Sequence, residues 1–436
     1  MACRLQRAVS EGGVPRRGRT ERAKTKRSSV DNQMNQWESQ EVRQSNTAPL
    51  CKWYMEHLGV TLIEVFAMKE TLNQIFDTKE VNTGRQKEYD ILRGILMVFI
   101  FFIHAYQATL SERDGLYHLI YCLGTMTGAA LFIFVMGFGT AYSKRKEPGV
   151  LAKSGLRMLL YQYANNIAYV AALLIPYPFV CAHLSEAEHD LFSIMLKVYI
   201  QYVNIFFLAG VIYLVFALLQ KIRAGTAVYL ALGILTALVG TLFYGKAPDI
   251  PVVGYLLTLL IGGARHVSFT VLAFLSYALL GVVYGRLLRH VRDKAQFYKL
   301  LLPICIAVMA AWWAYLLIRF AGNWTELFSY ISQTYVSPGP FRVAASIAHI
   351  LFLAALLYLF RCGEQKGRVV KQLLFYSTNI SQYYAIHPLP YFIILGVHNY
   401  EGFQPWQCWL MTLLSMVVTE AAVRIYHLLL KRKSAA

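Results

Sequence analysis

The sequence is short of charge and shorter still of organised cysteine. Asp, Glu, Lys and Arg make up 15% of its 436 residues, where a soluble domain carries about a quarter. Hydrophobic residues reach 57% and the mean hydropathy is +0.43, which excludes an ordinary soluble domain. The seven cysteines are scattered at 3, 51, 122, 181, 305, 362 and 408, with no CxxC pair. No metal-ligand spacing exists, so no metal is expected, and most cysteines read as packing residues. A Cys181–Cys408 bridge on the outer side is the one disulfide the layout suggests. No internal repeat is visible, which weighs against the inverted-repeat transporter folds.

The first residues also lack what a secretory signal needs. No apolar stretch follows the basic start, and residues 1–47 have too little apolar surface to fold. Residues 1–87 therefore read as a polar, basic leader, with "LGVTLIEVFAM" as a surface helix. Met34, Met55 and Met68 read as candidate alternative starts. Much of the formal charge of +18 lies in the first 27 residues, which hold Arg4, Arg7, Arg16, Arg17, Arg19, Arg22, Lys24, Lys26 and Arg27. The rest lies in short loops between apolar runs, so it signals topology and not nucleic acid.

What is present is a succession of apolar runs of about 20 residues, each long enough to cross a ~30 Å hydrocarbon core. Residues 88–433 read as an all-α transmembrane bundle of about ten spans: 90–110, 117–142, 156–178, 194–220, 226–244, 267–287, 298–320, 341–360, 373–397 and 406–430. Residues 251–266 are apolar but too short to span, and Gly262–Gly263 breaks them, so they read as a re-entrant or surface segment. Alternate loops are basic ("KRKEPGVLAK", "QKIRAG", "GRLLRHVRDK", "RCGEQKGRVVK") and the others mostly acidic. An integral membrane protein with both termini in the cytoplasm is the expectation.

The first span, "YDILRGILMVFIFFIHAY", carries Arg93 and His104 within apolar sequence. Eleven residues is three helical turns plus about 20°, so both project from one face, about 16 Å apart along the axis. Asp90, one turn before Arg93, is placed to pair with it. Arg93 snorkelling to the headgroups and His104 bonding a neighbouring helix would be the bland explanation. Intramembrane ionisable residues are otherwise functional candidates, and His is suited to move a proton near neutral pH. His387, followed by Pro388 in "YYAIHPLP", either joins the site at a kinked, freed carbonyl or packs between helices. His349 reads as packing. Asn165 and Asn166 contact an acceptor or bond neighbouring helices, and Gln201 and Asn204 read as structural.

"DILRGILMVFIFFIH" resembles the first-helix signature of the membrane-bound acyltransferase superfamily. Two branches share it, the acyltransferase-3 family and the bacterial relatives of heparan-α-glucosaminide N-acetyltransferase. "LFIFVMGFGTAYSKRK" resembles the second helix of both. "VNIFFLAGVIYLVFALLQKI" and "FLSYALLGVVYGRLLRHVRDKAQFYK" look like the glucosaminide-type branch, and "SQYYAIHPLP" is similar to a Tyr…His segment of acyltransferase-3. The resemblance covers about residues 88–430. It implies transfer of an acyl group, usually acetyl from acyl-CoA, to a hydroxyl or amine of a glycan or glycolipid of the cell envelope. CoA would come from the cytoplasm and the acceptor would often be extracytoplasmic.

In that resemblance His104 falls on the catalytic His and Arg93 on its paired Arg. An Arg-x-x-Arg motif is common at the start of the third span. "KSGLRMLLY" carries Ser154 and Arg157 at that spacing, with Lys153 adjacent, so Arg157 carries over and the first Arg does not. This departure leans towards the glucosaminide-type branch. Lys144, Arg145, Lys146, Lys153 and Arg157 are the cations expected to hold the CoA phosphates. Membrane lipid and the glycan acceptor are the expected partners, with no nucleic acid. The competing reading is a secondary transporter or flippase, with Arg93 as anion site and His104 as proton relay.

Overall fold

The computed structural model describes residues 70, 72–109, 115–248, 250–263, 267–397 and 404–435. Gln74–Ala436 form one compact unit. Within it the elements are helices, with two isolated backbone bridges and no longer strand among the described residues. In chain order they are α1 (Lys87–Thr109), α2 (Gly115–Tyr142), α3 (Pro148–Leu174), α4 (Glu186–Ile200), α5 (Ile205–Lys221), α6 (Thr226–Leu242), α7 (Pro251–Ile261) and α8 (Val271–Arg289). After them come α9 (Lys294–Phe320), α10 (Trp324–Val336), α11 (Pro340–Leu359), α12 (Arg368–Thr378), α13 (Ile380–Ile386), α14 (Pro388–Val397) and α15 (Pro405–Ala435).

Six stretches among the described residues are helical, long and apolar enough to cross a membrane: Gly124–Tyr142, Pro148–His183, Val271–Arg289, Lys294–Phe320, Pro340–Leu359 and Trp406–Leu430. With little hydrophobic drive between helices inside lipid, close packing needs small residues at the crossings. The α2–α8 crossing shows it. A Cβ on Gly137 would collide with the Ala278 carbonyl, and one on Gly281 with the Phe134 carbonyl. Gly155 of α3 and Gly210 of α5 face each other in the same way. The main core gathers on these crossings, with Phe134, Phe216, Phe274 and Tyr277 fully buried.

Two expected spans are broken. The apolar run 194–220 stops at Ile200 and restarts at Ile205. Side-chain amides of α3 take over the freed backbone groups. Gln162 donates to the Tyr202 carbonyl (2.6 Å) and accepts from the Asn204 and Phe207 amides (3.2 Å each). Asn166 donates to the Tyr202 and Ile200 carbonyls (2.9 and 3.2 Å). Asn204 caps α5 by accepting from the Phe206 amide at 2.8 Å. A break at membrane depth is tolerable only when so satisfied. Asn166 thus serves a neighbouring helix, one of the two roles left open for it.

The run 373–397 is broken as well, at Asn379 and at His387–Pro388. Proline removes a donor and crowds the preceding turn. The His387 carbonyl that the kink exposes accepts from Ser415 Oγ of α15 at 2.9 Å. The interval between the expected spans 298–320 and 341–360 also holds more than a loop, because α10 forms there behind an Asn323 cap. The short apolar segment is as expected: α7 is an 11-residue helix ended by Gly262 and Gly263, both at positive φ. Cys181 and Cys408 do not form a disulfide.

Candidate active site

Arg93 and Asp90 are brought together one turn apart on α1. Arg93 Nη2 donates to Asp90 Oδ1 at 2.6 Å, and Arg85 pairs with the other carboxylate oxygen. Ser377 Oγ donates to Asp90 at 3.3 Å. Asp90 is buried, so two guanidiniums and a hydroxyl hold a carboxylate that would otherwise be costly to desolvate. One positive charge is left over. Arg93 Nε is buried with no hydrogen-bond partner, as is the Tyr142 hydroxyl.

Arg93 stands where two cavities meet. The first, of about 610 Å³, is polar and is lined by Arg85, Asp90, Arg93, Tyr142 and Ser377 among others. The second, of about 500 Å³, begins at Ser143, Arg145 and Ser154. It runs inward past Met136, Met158 and Phe132 to Phe206 and Tyr384 and is mostly apolar. Arg93, Val135, Gly139 and Ile380 line both.

His104 and His387 also come together, with ring centroids 5.0 Å apart. His387 is wholly buried at the α13–α14 kink. Its Nδ1 lies 3.0 Å from the Tyr383 carbonyl. A carbonyl only accepts, so Nδ1 carries the proton and the neutral ring presents its lone pair on Nε2. That Nε2 is buried with no hydrogen-bond partner, the state of an unengaged base. Phe101 packs edge-on at 5.4 Å and Tyr384 at 5.5 Å. Neither His lines either cavity, since the apolar cavity ends at Tyr384, one ring short of His387.

The expected phosphate-binding cations divide. Arg145 lines the apolar cavity, and Ser154 lines it too. Lys144, Lys153 and Arg157 are exposed and line neither cavity. Burial, and then Arg289, push the Lys146 ammonium below its usual value, which makes it a weaker anchor for an anion. Arg85, Tyr142 and Ser377, which sequence reasoning did not select, take part instead. Their signal was weak, since they sit in a loop or at helix ends, where polar residues are ordinary.

Glu420 of α15 was also missed, although an acid inside an apolar run is a readable signal. It accepts from Tyr383 Oη, from Gln372 Nε2 (2.9 Å) and from Arg424 Nε (2.6 Å). Arg342 is buried on α11 and donates to the Ile331 carbonyl at 2.6 Å and to Thr334, holding the end of α10. His349 has the packing role expected of it, between the Ala345 carbonyl and Trp313. Among the described residues no group of His, Cys, Asp and Glu is arranged to hold a metal.

Arginine and histidine on one apolar helix, a second histidine at a Tyr–His–Pro kink and a bundle of membrane helices define a class. A model of the acyltransferase-3 family, described as an acyltransferase domain, matches residues 86–423. The chain belongs to that family and is an integral membrane protein with an acyltransferase domain. The lean towards the glucosaminide-type branch drawn from Ser154 is thereby corrected. No match was found among curated proteins or among solved structures.

Proposed function

We propose that the protein transfers an acyl group, acetyl in the simplest case, from acyl-CoA to a hydroxyl or amine of a glycan or glycolipid. The observation that carries this reading is the His104–His387 contact next to a cavity that starts at a basic rim. Arg145 at that rim and Arg93 within it suit an anionic donor. A histidine nitrogen takes the proton of the acceptor's O–H or N–H as the new bond to the acyl carbon forms. The C–S bond then breaks, and the thiolate leaves as CoA after receiving that proton. His387 Nε2, already unprotonated in the neutral ring, suits the base, and His104 supports it or exchanges roles with it. Reaching the pair requires the Tyr384 ring to swing aside, a side-chain rotation.

The test is transfer from labelled acyl-CoA by protein in nanodiscs, with turnover expressed per folded molecule. His104→Ala and His387→Ala should each lower turnover by about 10²–10⁴, the usual contribution of a general acid or base. Both variants should still insert and accumulate. Near-parental turnover by both would end the catalytic reading. Mass spectrometry of cell-envelope glycans from a deletion strain and its parent would identify the acceptor.

A further inference from the structure

Gly139 is out of place as a packing glycine. Its neighbours Phe138 and Thr140 are buried, yet Gly139 is exposed within the bundle. A Cβ built on Gly137, two residues earlier, would collide with α8, whereas one on Gly139 would meet nothing within 4 Å. Glycine in a helix interior costs roughly 1 kcal/mol relative to alanine. No close helix contact offsets that here. The space beside Gly139 belongs to both cavities.

We propose that the two cavities form one bent channel with Gly139 at its neck, and that a single donor occupies both. The inference rests on the acyl-CoA reading and specifies how such a donor would lie. The polar cavity takes the phosphate-bearing head, because Arg85 and Arg93 exceed Asp90 by one charge and two buried donors there, Arg93 Nε and Tyr142 Oη, have no partner. The arm passes between Val135, Gly139 and Ile380 into the apolar cavity. Beyond the neck at Gly139 that cavity follows about 10 Å of α2 as far as Phe132 and is lined also by Phe206 and Tyr384; this space receives the far end of the arm and its acyl group. Gly139 then sets the thickness of what passes, and an arm bulkier than that of CoA is excluded.

Binding of two probes to the full chain in nanodiscs tests this: CoA, which has head and arm, and adenosine 3′-phosphate 5′-diphosphate, which is the head alone. The parent should bind CoA at least tenfold more tightly than the head alone. Gly139→Leu, with a side chain that fills the neck on a helix it favours, should weaken CoA at least tenfold and leave the head alone within twofold. Gly139→Ala narrows the neck by one methyl group and should weaken CoA less than Gly139→Leu does, while Arg85→Ala should weaken both probes together. Unchanged CoA binding by folded Gly139→Leu, or equal loss of both probes, overturns the single-channel proposal and leaves the acyl-CoA reading standing. A parent that binds neither probe overturns that reading, and the channel with it.

Discussion

At the scale of single residues, the Arg93–Asp90 pair separates a functional guanidinium from a structural one. Asp90 holds Arg93 through one nitrogen at 2.6 Å and leaves Nε without a partner. Arg93→Lys keeps the charge but loses the planar fork, so it should lower transfer roughly tenfold. Arg93→Ala removes the charge as well and should cost the most. Asp90→Asn keeps the shape but loosens the guanidinium and should fall between. A charge-assisted hydrogen bond is worth about 1.5–3 kcal/mol, which is roughly a tenfold to hundredfold change in rate. Turnover per folded molecule gives the order. If all three variants lose abundance while the surviving protein works at the parental rate, the pair is structural.

The elements show what could be read in advance and what could not. Arg93, His104 and His387 were legible because each interrupts an apolar run, where an ionisable group needs a reason, and Asp90 because it lies one turn before Arg93. Gly139 was not, since a glycine in a span reads as a packing residue until its neighbours are known. The breaks at 201–204 and 379–387 were hidden by hydropathy, which averages over a window and does not register where a backbone hydrogen bond is handed to a side chain. The Gln162 amide that repairs the first break lies some forty residues away on α3, a pairing made by the fold alone. Gln162→Leu would strand the Asn204 and Phe207 amides and the Asn166 side-chain oxygen, while the Tyr202 carbonyl keeps its bond from Asn166. Each buried group left unpaired costs about 1–3 kcal/mol, so the variant should lose most of its folded fraction or unfold at a clearly lower temperature. Asn165→Leu is the contrast, because Asn165 Nδ2 is buried with no hydrogen-bond partner. It should be tolerated far better in the same thermal-unfolding measurement in detergent.

At the scale of the whole bundle, the basic loops gather at one end. Arg289, closing α8, donates to the Ala141 carbonyl near the end of α2 at 2.9 Å. Arg286 donates to Thr226 Oγ1 at the start of α6 at 3.1 Å. Lys87, opening α1, reaches the Gly363 carbonyl after α11 at 3.3 Å. The segment before α1 joins them, with the Val81 and Asn82 amides donating to the Arg289 carbonyl at 2.9 Å each. Loops that alternate in sequence therefore share a side in space, as alternating crossings require. Counting each broken run (α4–α5 and α12–α14) as one crossing, and neither α7 nor α10 as one because 11 and 13 residues rise only about 16–20 Å, we predict ten crossings. The basic end should then face the cytoplasm. Reporter fusions at residues 145, 222, 290, 366 and the C-terminus should report a cytoplasmic position, and those at 114, 187 and 400 an external one. The fusion at 187 decides most, because it lies between Pro148–His183 and the broken α4–α5 run. A cytoplasmic signal there would remove a crossing and reverse every later loop. It would also place the basic rim at Arg145 and the loop at residue 222 on opposite sides of the membrane, which the hydrogen bonds joining α2, α6 and α8 at one end do not permit.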